Sequence, residues 1–198
     1  MDVKKNIGRE ELVAILKSVS ASKLNSERAA EFLDFVTYAM YFYPDGDYLS
    51  RPPEEIFFNI YGLFKFAENA TAQDTASRTQ VKAFNPQPEI DGWGSANTIV
   101  YINQRDMPFL VDSLRMALNR RGLNIFTLQS NPVWVVRDAD GQLKACHKSY
   151  IDGAEREAFI NIEVDIHRDS ELAELQRDLL AVLDDVQTVV DDFDPMRL

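Results

Sequence analysis

Thr98-Ile99-Val100-Tyr101-Ile102, the linker Asn103-Gln104-Arg105-Asp106-Met107-Pro108-Phe109-Leu110, and the run ending Leu118-Asn119-Arg120-Arg121-Gly122 decide the fold. The first piece carries apolar side chains on both faces, the pattern of a strand central in a sheet or covered on both sides. Asp106 and Pro108 before the last piece, and Gly122 after it, are start and stop signals. They predict a helix from about Pro108 to Arg121, with Leu110, Leu114, Ala117 and Leu118 as its buried stripe.

Downstream, Ile125 to Val136 reads as extended, with a break expected at Asn131-Pro132. Asp138-Ala139-Asp140-Gly141 is a hairpin turn into a short return strand, Leu143 to His147. The next strand alternates cleanly. Ala158, Ile160, Ile162, Val164 and Ile166 are expected inward, and Asn161, Glu163, Asp165 and His167 outward into water. A last helix starts at Asp169-Ser170, with Leu172, Leu175, Leu179, Val182, Leu183, Val186 and Val190 on one side. The order is β-α-β-hairpin-β-α, a split βαβ pattern short of its last strand. Thr79 to Phe84 is predicted to fill that place, antiparallel beside the first strand.

Upstream the signal is helical. Leu12, Ile15, Leu16 and Val19 share one face of a first helix. A second starts at Asn25 or Ser26 and is stopped by Pro44-Asp45-Gly46-Asp47, and a third starts at Pro52-Pro53. Rings are dense here, and some are expected to leave the helical stripe and meet a neighbouring domain or subunit. Glu68 to Arg78 reads as a linker, which divides the chain into a helical segment, 1–70, and an α+β domain, 79–198. The expected fold class is α+β: a ferredoxin-like antiparallel sheet with two helices, preceded by a helical bundle.

The 198 residues hold 21 basic and 32 acidic side chains, a net charge of −11, which disfavours nucleic acid and anionic membrane as partners. The lone Cys146 allows no intrachain disulfide, and the charged start at Met1 to Asn6 lacks a signal peptide's apolar core, so a cytoplasmic location is expected. No phosphate-cradling glycine loop occurs. His147 and His167 have no partner at metal-ligand spacing, and Asp138 to Gly141 lacks the rest of a calcium loop. Cys146 and His147, adjacent on a strand, point to opposite faces and form no dyad. The expectation is therefore no catalytic residue, cofactor site or metal site in this chain. The turn is the one candidate: Arg105, Asp106, Met107 and Pro108 at a helix start can receive an anion such as an amino acid carboxylate. On the other reading, Asp106 caps the helix and Pro108 stiffens it.

Asp106-Met107-Pro108-Phe109-Leu110, then a helix, then Gly122-Leu123-Asn124-Ile125 resembles the ACT-domain pattern. With Asp91-Gly92-Trp93, the longer run to Ser113 and Leu118 to Gly122, residues 79 to 198 resemble the N-terminal region of the large bacterial NAD-specific glutamate dehydrogenases. The resemblance implies an ACT-like fold and a segment of a longer chain. Its NAD site and catalytic residues would lie downstream, in an enzyme that oxidatively deaminates glutamate to 2-oxoglutarate and ammonia. It further implies a regulatory or assembly role, with other domains of that chain and identical subunits as partners and a free amino acid as effector. Phe109 stands where many ligand-binding ACT domains have glycine, and this favours a packing or interdomain role for the turn.

Overall fold

The computed structural model describes residues 9–39, 51–68 and 79–193. The expected stop at Pro44 to Asp47 and most of the expected linker lie outside these residues, as do Met1 to Asn6. Three helices come first: α1 (Arg9–Lys23), α2 (Ser26–Ala39) and α3 (Pro53–Glu68). Asn25 starts α2, its Oδ1 accepting the Arg28 backbone N–H at 2.9 Å. The order then runs β1 (Gln80–Phe84), the short α4 (Pro88–Asp91), β2 (Thr98–Arg105), α5 (Leu110–Arg120), β3 (Ile125–Arg137), β4 (Leu143–His147), β5 (Glu155–Val164) and α6 (Asp169–Phe193).

The five strands form one sheet in the order β1-β2-β5-β3-β4, every neighbouring pair antiparallel. This is the α+β, ferredoxin-like arrangement expected, and β1 takes the place beside β2, with Lys82 opposite Tyr101 and Phe84 opposite Ile99. Strand β4 is an addition outside β3. Val135 pairs with Cys146 of β4 on one side and Glu155 of β5 on the other. The chain from Lys148 to Ala154 must therefore cross β3, and there the Tyr150 ring meets Trp134 edge-on with centroids 5.1 Å apart.

Three expectations are corrected. No break occurs at Asn131-Pro132: β3 stays paired through Pro132, opposite Ala158. Strand β4 reaches only Trp134, so Pro132 lies where β3 has a single partner, and a missing N–H is tolerated on such an edge. The α5 helix begins at Leu110, two residues later than expected, and ends as predicted at a left-handed Gly122 with φ 75°. The third correction concerns the alternating strand. Ile166, expected inward, lies past the end of β5 and is 57% exposed. Asn161 and Glu163 are not in water but 2% and 3% exposed.

The cause is a second layer. One sheet face, with Val100, Ile102, Ile160 and Ile162, packs on Leu114, Leu118, Leu175 and Leu179 of α5 and α6. The other, with Ile99, Tyr101, Val133 and Phe159, shares a core with Leu16 of α1, Phe32 and Phe35 of α2, and Phe57, Ile60 and Phe64 of α3. Some polar residues caught on that face have protein partners, whereas the side-chain amides of Asn103 and Gln129 are buried there without a hydrogen-bond partner among the described residues. Asn59 of α3 accepts hydrogen bonds from Tyr101 Oη (2.9 Å) and Asn161 Nδ2 (3.2 Å) through its Oδ1. Glu163 accepts from Asn97 Nδ2 at 2.9 Å and pairs with Arg51.

Phe32, Phe35, Phe57 and Phe64 fill this core, while Tyr61 and Phe58 lie at its margin.

Candidate functional site

The turn between β2 and α5 is tied to the start of β5. Asp106 donates its backbone N–H to the Arg156 carbonyl at 2.9 Å, and its carboxylate lies 3.0 Å from Arg156 Nε. Burial pushes the Asp106 carboxyl above its ordinary pKa, and the Arg156 charge pulls the other way. Asp106 is thus committed to β5 rather than to the helix. The residue at the helix start is Phe109, and no side chain caps α5.

The four candidate residues divide by environment. Arg105 points to α6, its guanidinium 2.7 Å from Asp191 in an exposed pair. Met107 is buried, with its sulfur accepting from Gln104 Nε2 at 3.5 Å. Pro108 is exposed in the turn that precedes α5. The structure therefore places Arg105 and Met107 apart, one on the surface and one in the core. Only Asp106 and the helix start remain together as a polar feature.

Phe109 has φ 67°, the one positive φ outside glycine among the described residues, and its side chain is 66% exposed. For a bulky residue this backbone conformation is strained. Glycine would take this angle without that cost. Phe109 does not fill the space over the turn from inside; it projects into solvent.

Two cavities lie elsewhere. One of about 320 Å³ sits between α2, the end of α3 and β4, lined by Asp34, Phe35, Glu68 and Cys146 among others. The Cys146 thiol there is buried, and burial with Asp34 nearby pushes its pKa to about 12, which makes it a poor nucleophile near neutral pH. A second, of about 200 Å³, lies between α3 and the β1 edge. Nothing in the local sequence pattern marks it, because its residues come from separate segments. Among the described residues no group of three or more His, Cys, Asp or Glu could hold a metal ion, and no helix is long and apolar enough to cross a membrane.

A sheet of order β1-β2-β5-β3-β4 with two helices on one face, and a turn of this composition at the start of α5, define an ACT-like domain. The family model described as glutamate dehydrogenase, ACT1 domain, matches residues 35–179, and the chain belongs to that family. It is 36% identical over 195 residues to the NAD-specific glutamate dehydrogenase of Halomonas elongata, covering 96% of this chain and 12% of that protein. Over 121 residues it is 41% identical to the NAD-specific glutamate dehydrogenase of Pseudomonas aeruginosa, covering 60% of this chain and 8% of that protein. The chain thus spans a small part of the length of these relatives. No solved structure matches it.

Proposed function

We propose that this chain is the N-terminal regulatory or assembly region of a large NAD-dependent glutamate dehydrogenase and carries none of its chemistry. The observation that supports this most is the likeness to the Halomonas protein along 96% of the chain, in a domain family whose description names the same enzyme. Phe109 adds to it: a strained, exposed ring contributes little to this fold and fits a contact with another domain or an identical subunit. The NAD and the catalytic residues belong, on this reading, to the rest of the parent enzyme. The parent would convert glutamate to 2-oxoglutarate and ammonia.

The test compares the 198-residue chain, the intact parent and a parent lacking this region. The isolated chain should show no NAD reduction with glutamate. The shortened parent should keep some turnover while its assembly state in sedimentation, or its response to amino acids, changes. Turnover by the isolated chain, or a shortened parent indistinguishable from the intact one, would overturn the proposal.

A second reading is an amino acid sensor at the Asp106–Leu110 turn. The absence of a side-chain cap on α5 favours it, because the N–H groups of an uncapped helix start attract a carboxylate. Calorimetry with free amino acids should then show saturable binding that Asp106→Ala abolishes; no binding to the unsubstituted chain would sink this reading.

A further inference from the structure

Along α3, Phe58, Gly62, Lys65 and Phe66 fall on one side at helical spacing and form a wall of the 200 Å³ groove. Opposite them stand Lys82 and Phe84 of β1, an outermost strand, and Tyr101 of β2. Asp91, the last residue of α4, and Trp93, from the chain between α4 and β2, also line the groove.

Two glycines shape these walls. A Cβ on Gly62 would stand 2.7 Å from Tyr101 Oη, and one on Gly92 would stand 2.8 Å from the Phe58 ring. Both positions need a bare backbone for the walls to approach as they do. Tyr101 is held in place by hydrogen bonds from its hydroxyl to the Asn59 carbonyl (2.8 Å) and Oδ1 (2.9 Å). Its ring meets Phe84 at 5.1 Å and Phe66 at 6.0 Å between centroids. Protein interiors are close-packed, so an open space bounded by fixed rings is a shape available to a flat apolar body.

Charge narrows the occupant. In a chain of net charge −11, this groove is lined by two cations and one carboxylate. Lys82 is exposed, its Nζ 4.4 Å from the Phe84 centroid, with no carboxylate of the described residues within ion-pair distance. Lys65, on the facing wall, holds its Nζ over the Tyr61 ring, 5.2 Å from the centroid. The Asp91 carboxylate accepts the Gln87 backbone N–H at 2.9 Å, and its charge would oppose a second negative group on a ligand. The volume is below the ~300–1,000 Å³ of typical drug-sized sites and is too small for a dinucleotide.

We propose that the groove between α3 and the β1 edge binds a small carboxylate that carries an aromatic ring, its ring against Phe84 and Phe66 beside Trp93 and its charge at Lys82. The site lies wholly within this chain and does not depend on the dehydrogenase reading. Trp93 is one of two tryptophans, so Trp134→Phe leaves it as the sole indole reporter.

Titration of that variant with phenylacetate should give a saturable change in Trp93 fluorescence. Phenylacetamide, alike in shape but neutral, should bind roughly fivefold to tenfold more weakly, as the loss of one charge-assisted contact requires. Adding Lys82→Met, which keeps the apolar stem and removes the charge, should weaken phenylacetate to a similar degree while leaving the melting temperature unchanged. Absence of saturation up to about 10 mM, a range that would register even millimolar binding, would overturn the proposal. So would equal binding of acid and amide, or a Lys82→Met variant that binds phenylacetate as before.

Discussion

Arg137 and Glu157 meet as a two-pronged ion pair inside the protein. Nε and one terminal nitrogen of the guanidinium each lie 2.7 Å from a carboxylate oxygen, and the side chains are 2% and 4% exposed. The remaining nitrogen donates to the carbonyls of Ala67 and Gly141, both at 2.9 Å. One guanidinium thus joins β3, β5, the end of α3 and the hairpin turn. Removing one member strands a buried charge; removing both does not.

Glu157→Gln or Arg137→Met should each cost about 3–5 kcal/mol in urea unfolding. The double variant Arg137→Met, Glu157→Leu should recover most of that loss. A double variant no more stable than the singles would show that the Ala67 and Gly141 contacts, not the charge pair, dominate.

Phe109 invites the opposite experiment. Its φ of 67° suits glycine, and a ring 66% exposed loses little burial when removed. Phe109→Gly should raise stability by roughly 1 kcal/mol, the relief of left-handed strain less the added chain entropy. Phe109→Val, β-branched at the same φ, should lower it. If glycine destabilises instead, the ring supports the turn and the argument for an external contact weakens.

Gly62 gives a sign test. An alanine in a helix interior ordinarily gains about 1 kcal/mol over glycine. Here its Cβ would meet Tyr101 Oη at 2.7 Å, so Gly62→Ala should destabilise by about 1–3 kcal/mol, the usual range for overpacking. Tyr101→Phe removes the closest atom. The double variant should therefore lose less than the sum of the singles, measured as a coupling in unfolding free energy.

The strand-turn-helix run was legible because its signals are local: an apolar run, Asp106 and Pro108 before a 3.6-residue period, Gly122 after it. The place of β1 followed from topology, since one sheet position was vacant beside β2. The burial of Asn161 and Glu163 was not legible. Alternation of polar and apolar residues reads as water on one face, and nothing in β5 itself reveals that α3 supplies Asn59 102 residues earlier. Arg137 reaches Ala67 across 70 residues for the same reason. At the candidate site, Phe109 was legible as a departure from glycine but not as an exposed ring, because its direction depends on the backbone angle.

Asp106 carries a pH signature. Its carboxyl is held above its ordinary pKa by burial, so the native state binds this proton more tightly than the unfolded chain. Ionised Asp106 therefore works against the fold at neutral pH, and that disadvantage fades as pH falls through the native pKa. Asp106→Asn should be at least as stable as the parent chain at pH 7. Its advantage should shrink on acidification through the carboxylate range, read from urea midpoints at several pH values. A growing advantage at low pH would reverse the sign and reassign Asp106 to a stabilising pair with Arg156.

Cys146 offers a probe of unfolding that needs no substitution. The chain holds one cysteine, 3% exposed on β4, with its thiol pKa raised to about 12 by burial and by the charge of Asp34. Only the thiolate attacks a disulfide reagent. At pH 8 the native thiolate fraction is therefore well below that of an unburied thiol, and the 3% exposure of Cys146 lowers the rate further. Labelling in the native state should follow the opening of the fold, accelerating with urea in step with the unfolding transition. Arg137→Met, which weakens the hairpin beside Cys146, should raise the native rate. Rapid labelling of the unsubstituted chain in buffer would mean that β4 detaches from β3 without global unfolding.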